Sequence, residues 1–106
     1  HQGAGMGGPP RSRQGVVKMR GLPFSSTRED VLSFLRGYDV MADSILFPKR
    51  PDGRSKGECF VALASMQEAR RVVQERNRET MGKRYIEIFS SSFEEMDENS
   101  YNNSRF

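Results

Sequence analysis

The densest run of chemistry-bearing side chains in this 106-residue chain is Lys49-Arg50-Pro51-Asp52-Gly53-Arg54-Ser55-Lys56, four cations within eight residues. Pro51, Asp52 and Gly53 are turn formers: proline presets φ, aspartate hydrogen-bonds nearby backbone, and glycine accepts positive φ. Cations carried on a turn stay in water, where they attract anions such as phosphates. The plainer reading is a solvated loop. Other spacings exclude more than they support. Glu29-Asp30 are adjacent acids at a predicted helix start, where the helix dipole favours them, so they read as structural rather than catalytic. Gly3-x-Gly5-x-x-Gly8 matches a dinucleotide fingerprint only formally. No strand precedes it and Pro9-Pro10 follow, so no helix N-terminus is available for a pyrophosphate. The single cysteine, Cys59, and the single histidine, His1, leave no internal disulfide, no Cys-based zinc cluster and no His-dependent active site. A non-enzymatic protein without cofactor or metal is expected.

The elements that position these residues follow from charge and periodicity. The net charge of +3 divides into +2 over residues 1–15, +4 over 16–89 and −3 over 90–106. The apolar residues concentrate between Val16 and Phe89. This describes one domain at 16–89, a flexible Gly/Pro-rich tail at 1–15 and an acidic polar tail at 90–106. No apolar run approaches the ~20 residues of a membrane span, and no signal peptide is visible. The chain reads as a piece of a larger intracellular protein, monomeric as a domain, without a membrane partner.

Val16-Val17-Lys18-Met19-Arg20 alternates and is rich in β-formers, which predicts a first strand. Gly21-Leu22-Pro23-Phe24 turns the chain. Ser26-Thr27-Arg28-Glu29 fits a capping box before a helix carrying Val31, Phe34 and Leu35, closed near Gly37. Ile45-Leu46-Phe47 predicts a second strand stopped by Pro48, and Glu58–Leu63 a third. Ser65-Met66-Gln67-Glu68 opens a second helix with Met66, Ala69, Val72 and Val73 on one stripe. Met81-Gly82 turns into a fourth strand at Arg84–Phe89. The order β-α-β-β-α-β is ferredoxin-like: an α+β fold with a four-stranded antiparallel sheet and two helices on one face. Ser92-Phe93-Glu94-Glu95 is a third capping pattern, giving a short helix near 92–98 that can lay Phe93 or Met96 over the other face.

Two motifs narrow the fold. Lys56-Gly57-Glu58-Cys59-Phe60-Val61-Ala62-Leu63 resembles the RNP1 motif of RNA-recognition motifs (RRMs), and Val17-Lys18-Met19-Arg20-Gly21-Leu22 resembles RNP2. Ordinary RRMs stack bases on aromatics of the open sheet face. Here alternation puts Lys18, Glu58 and Phe60 on that face, and Val17, Met19, Cys59, Val61 and Leu63 toward the helices. Only Phe60 remains of the three stacking positions. Lys18 and Glu58 are placed to pair across neighbouring strands, and Phe60 to be covered by the C-terminal segment. Cys59 reads as a small buried hydrophobe.

The run Val17-Lys18-Met19-Arg20-Gly21-Leu22-Pro23-Phe24, the degenerate Gly57-Glu58-Cys59-Phe60-Val61 and the fourth-strand Gly82-Lys83-Arg84-Tyr85-Ile86-Glu87-Ile88-Phe89 together resemble the quasi-RRM of the heterogeneous nuclear ribonucleoprotein F/H family. The resemblance spans roughly residues 16–98. It implies binding of single-stranded, G-rich RNA by loops rather than by the sheet. The site residues it implies are Arg20, Phe24 and Tyr85, with Arg84 beside them and Arg50, Arg54 and Lys56 from the loop before the third strand. It further implies pre-mRNA splicing or RNA processing, splicing-related protein partners, and a nuclear, also cytoplasmic, location. Plainer readings stand beside these: Phe24 as a cap on the core, Tyr85 as an edge aromatic, Arg20 as a solvated strand end. Two alternative functions are a protein-interaction module, and an RRM preferring purine-rich RNA other than G-tracts.

Overall fold

The structure is a computed structural model and describes residues 9–104. In chain order it contains β1 (Gly15–Arg20), α1 (Arg28–Phe34), β2 (Glu58–Leu63), α2 (Met66–Arg76), β3 (Thr80–Met81), β4 (Arg84–Tyr85), β5 (Glu87–Ser91) and α3 (Phe93–Ser104). Single 3-10 turns lie at Arg11–Arg13 and Ala42–Ser44.

The alternating residues of β1 make it the central strand, antiparallel to both β2 and β5. One face buries Val17, Met19, Cys59, Val61, Leu63 and Ile88 against Val31, Phe34 and Leu35 from the first helical segment and Val72 from α2. The opposite face buries Val16, Phe60 and Ala62 beneath Met96 of α3, with Phe93, Met41 and Leu46 packed at its margin. Period-two alternation thus sorts the side chains as expected. Burial pushes the Cys59 thiol up to about 12, so it stays protonated and inert.

Where four strands are expected, three are regular. The segment Ile45-Leu46-Phe47 sits at the edge beside β2 but pairs only at isolated bridges. Leu46 and Phe60 exchange N–H···O bonds of 2.9 and 2.8 Å, and Val40 bridges Leu63. Between them the 3-10 turn at Ala42–Ser44 interrupts the ladder, and the Ser44 hydroxyl accepts the Ala62 N–H at 2.8 Å in place of a backbone carbonyl. The expected strand at Arg84–Phe89 is likewise broken at Ile86. Its N–H donates to Glu79 O at 2.9 Å and its carbonyl accepts from Arg78 N at 2.7 Å. Residues 84–85 therefore form a hairpin with 80–81, and only 87–91 join β1.

The helix caps refine the sequence patterns by small shifts. Ser26 closes the preceding turn by donating its N–H to Pro23 O at 3.0 Å, so Thr27, not Ser26, caps α1, in a reciprocal box with Asp30. Ser65 caps α2 through the Glu68 N–H at 3.0 Å. The Glu68 carboxylate reaches across to the Asp39 N–H at 2.9 Å. That bond, reinforced by Arg71, holds the Glu68 carboxyl below the usual range. Ser92 accepts the Glu95 N–H at 3.1 Å, and α3 continues to Ser104, beyond the expected end near residue 98.

Residues 9–14, read as the end of a flexible tail, are tied to α3. Arg11 donates to both carboxylate oxygens of Asp97, at 2.9 and 3.2 Å, and its guanidinium lies 4.2 Å from the Phe93 ring centre. Residues 1–8, including the Gly3-x-Gly5-x-x-Gly8 spacing, and residues 105–106 lie outside the described residues.

Candidate functional site

The part of the sheet face around Phe60, which ordinary RRMs use, is covered by α3, whereas Phe89, opposite Lys18 on the same face, stays half-exposed. Phe60 is fully buried. Lys18 Nζ lies 3.9 Å from the Glu58 carboxylate, 3.8 Å from that of Glu95 on α3, and 5.8 Å from the Phe60 ring centre. In register Lys18 stands opposite Phe60, and Arg20 opposite Glu58, so the Lys18–Glu58 pair is diagonal rather than direct. These partly exposed pairs contribute little energy on their own. The closure rests on the apolar contact of Phe60 with Met96 and Phe93.

The end of the same sheet is open. Antiparallel pairing puts the C-terminal end of β1 beside the N-terminal ends of β2 and β5, with Arg20 opposite both Glu58 and Glu87. The turn after β1, the loop before β2 and β4 therefore meet at one edge. Two glycines let them approach. Gly21 has φ +88°, and a Cβ there would lie 2.7 Å from the Tyr85 carbonyl oxygen. Gly57 has φ +70° and accepts the Leu22 N–H at 3.0 Å; a Cβ there would lie 3.2 Å from Leu22 O and 3.5 Å from the Phe24 ring. Any other residue would strain the backbone and crowd the turn.

On this support Phe24 is 70% exposed and Tyr85 72% exposed. Large exposed rings held by a rigid backbone are informative, because burial would otherwise be favourable. Arg84 carries its guanidinium 5.8 Å from the Phe24 ring centre, and Arg20 lies at the same distance from the half-exposed Phe89. Among the described residues neither arginine has a carboxylate partner. The plainer reading of Phe24, as a cap on the core, does not hold: the core beneath the turn is closed by Leu22 and Ile86, both buried.

The loop cations are carried on a separate turn. The loop folds as a small hairpin, with Arg50 N–H donating to Arg54 O at 2.8 Å, Lys49 bridging Ser55, and Gly53 at the tip with φ +86°. Arg54 faces Asp52 at 3.7 Å, while Arg50 and Lys56 project into solvent. Lys56 directly precedes Gly57, so the hairpin stems from the floor under Phe24.

Sequence reasoning missed Arg78. It is the one non-glycine residue with positive φ among those described, at +72°, and it lines a cavity of about 550 Å³ with Tyr85 and Glu87. Such a conformation costs on the order of 1–3 kcal/mol and marks a position set by its surroundings. The available signal was Asn77-Arg78-Glu79, a helix exit with no glycine. Among the described residues no cluster of His, Cys, Asp or Glu could hold a metal ion, and no helix is long and apolar enough to cross a membrane.

A sheet with two helices on one face, a third helix closing the other, and exposed aromatics at one end defines an RRM that has lost its stacking face. A family model described as an RRM domain matches residues 17–103. The chain is 39% identical over 85 residues to heterogeneous nuclear ribonucleoprotein F of Bos taurus, and 39% identical over 88 residues to heterogeneous nuclear ribonucleoprotein H of Homo sapiens. These matches cover 80% and 83% of this chain but only 20% and 19% of those proteins, so the chain spans about a fifth of their length. Among solved structures, the Glorund qRRM2 domain matches with TM-score 0.77 and 41% identity, covering 81% of this chain and 98% of that one. Human G-rich RNA sequence binding factor 1 matches with TM-score 0.71 and 28% identity, covering 85% and 92%. The chain belongs to the RRM domain family, as a quasi-RRM of the heterogeneous nuclear ribonucleoprotein F/H kind.

Proposed function

We propose that this domain is a non-enzymatic binder of single-stranded RNA that prefers G-tracts and grips them at the loop end of its sheet. The observation that carries this reading is the contrast between Phe60, fully buried, and Phe24 and Tyr85, each more than two-thirds exposed. Phe24 and Tyr85 supply flat surfaces on which bases stack, worth roughly 1–3 kcal/mol per base. Arg20 and Arg84 carry planar donor forks that match the O6/N7 edge of guanine, which a lysine cannot reproduce. Arg50, Arg54 and Lys56 draw in phosphates. The G-rich preference is supported by a structural relative whose name records binding to a G-rich RNA sequence. A protein carrying this domain then acts in pre-mRNA splicing or related RNA processing, in the nucleus and also the cytoplasm, with splicing-related partners. Enclosing guanines in loops holds G-runs single-stranded and opposes their folding into quadruplexes.

Fluorescence anisotropy with short G-, A-, C- and U-run RNAs tests the reading. The expected result is that the G-run binds tighter than the others by roughly tenfold or more, about 1.4 kcal/mol, and that Phe24→Ala removes the difference. Equal affinity for all four, or no binding to any, contradicts it.

A further inference from the structure

At the sheet edge away from the loop cluster, the irregular segment 39–46, α3 and the N-terminal turn enclose a groove of about 840 Å³. Its apolar lining includes Met41, Ile45, Leu46 and Phe93, all of them only partly buried. Each packs one side against a core cluster and leaves the other toward the groove. Here the edge segment does not complete a strand: the 3-10 turn at Ala42–Ser44 interrupts its pairing with β2 while staying bonded to Ala62, and α3 lines the opposite side of the groove.

The rim has a charge opposite to that of the chain. Asp39, Asp43 and Asp97 line the groove against Arg11 in the lining and Arg28 at its margin, an acidic excess, whereas the chain as a whole carries +3. Arg11 is already engaged by Asp97 at 2.9 Å. The Asp39 carboxylate has no cationic partner among the described residues, and Asp43 is fully exposed, with Arg28 at 3.8 Å. An acidic rim repels a phosphate backbone. It favours a chain that brings its own cations, and the half-buried floor favours an apolar anchor between them.

We propose that this groove docks a basic segment of a partner protein: an extended peptide with one large apolar side chain on Met41, Ile45 and Phe93, and flanking arginines or lysines on Asp39 and Asp43. Because the groove and the exposed aromatic cluster share no residue, peptide and RNA bind together rather than compete.

The test is an NMR titration of the intact domain with a short synthetic peptide carrying a central leucine between arginines, and with a twin in which glutamates replace the arginines. The arginine peptide is expected to shift the resonances of Met41, Ile45, Phe93 and Asp43 and to leave Phe24 and Tyr85 unmoved. The glutamate twin is expected to shift neither set. The double variant Asp39→Asn/Asp43→Asn, two surface positions outside the core, is expected to weaken the arginine peptide by roughly tenfold or more while keeping the preference for G-run RNA over the other runs. Equal shifts with both peptides, shifts confined to the loop end, unchanged affinity in the double variant, or movement of the groove by RNA in place of the peptide would each overturn the proposal. If the peptide docks and G-run RNA does not bind, the proposed RNA function fails while the groove assignment stands.

Discussion

The open face of the sheet and its loop end carry the same kinds of side chain: a cation, a carboxylate and an aromatic. Over the middle of the face these are Lys18, Glu58 and Phe60; toward its loop end they are Arg20 and Glu87, in register with Glu58 on the same face, and Tyr85, with Phe24 alongside. Their fates are opposite. Met96 and Phe93 of α3 bury the face aromatic, and Glu95 completes an ion-pair cluster around Lys18. Among the described residues no element covers the end, and two glycines with positive φ let three segments approach beneath it. Where an RRM presents its surface is thus decided by what covers each aromatic. A sheet that keeps a single stacking ring gains more by burying it under a helix than by leaving it in water.

That contrast can be broken from either side. The largest effect is expected at the covered face. Phe60→Ala removes a fully buried ring and should cost about 3–5 kcal/mol of stability, seen as a shift in the denaturant midpoint, while the folded fraction keeps its affinity for G-run RNA. The mirror experiment is expected at the loop end. Phe24→Ala and Tyr85→Ala should each weaken RNA binding by roughly 1–3 kcal/mol and leave stability within ~0.5 kcal/mol, since both rings lie outside the core. If Phe24→Ala destabilises the domain as much as Phe60→Ala does, the two regions are not distinct.

Smaller effects sharpen the picture. Arg54→Ala and Lys56→Ala should each reduce the slope of log affinity against log salt by about one, while leaving base preference unchanged. Smaller still is the latch between the N-terminal turn and α3. The hydrogen bond from Arg11 holds the Asp97 carboxyl below its ordinary range. Its folded-state pKa is depressed, so the contribution is present above the unfolded value near ~3.9 and is lost as pH falls through the lower folded value. Amide exchange in α3 should therefore show no change in the contribution of this pair between neutral pH and about pH 5, whereas Asp97→Asn should loosen the Arg11 contact at neutral pH.

Much of the fold was legible because period-two alternation is strict in β1 and β2. Lys18 and Phe60 could be placed opposite Val17, Met19 and Val61 before any contact was known. The edge at Ile45–Phe47 was not, since its apolar residues read equally as a strand and as a segment that bridges β2 only at Leu46. The break at Ile86 was hidden for a related reason: a β-branched residue in a β-rich run gives no sign that its backbone will bond Arg78 and Glu79 instead of β1. The capping boxes were found, but one residue early at α1, because Ser26 and Thr27 are chemically equivalent caps and only the turn at Pro23 selects between them. At the site, Arg20, Phe24 and Tyr85 entered through resemblance rather than spacing. They lie 4 and 61 positions apart in sequence, and nothing local says that they meet. Arg78 gave only the weak signal of a helix exit without glycine; its left-handed backbone accompanies a non-local bond from its N–H to Ile86 O.

The central claim is that RNA is held at the end of the sheet and not on its face. Titration of the labelled domain with a short G-run RNA, followed by NMR at Arg20, Phe24, Tyr85, Lys18, Phe60 and Met96, tests it most directly. The expected result is large shifts at Arg20, Phe24 and Tyr85, with Lys18, Phe60 and Met96 still. Large shifts at Lys18, Phe60 and Met96 with the loop residues silent would mean that α3 leaves the sheet and the RNA takes its place, and would contradict the account.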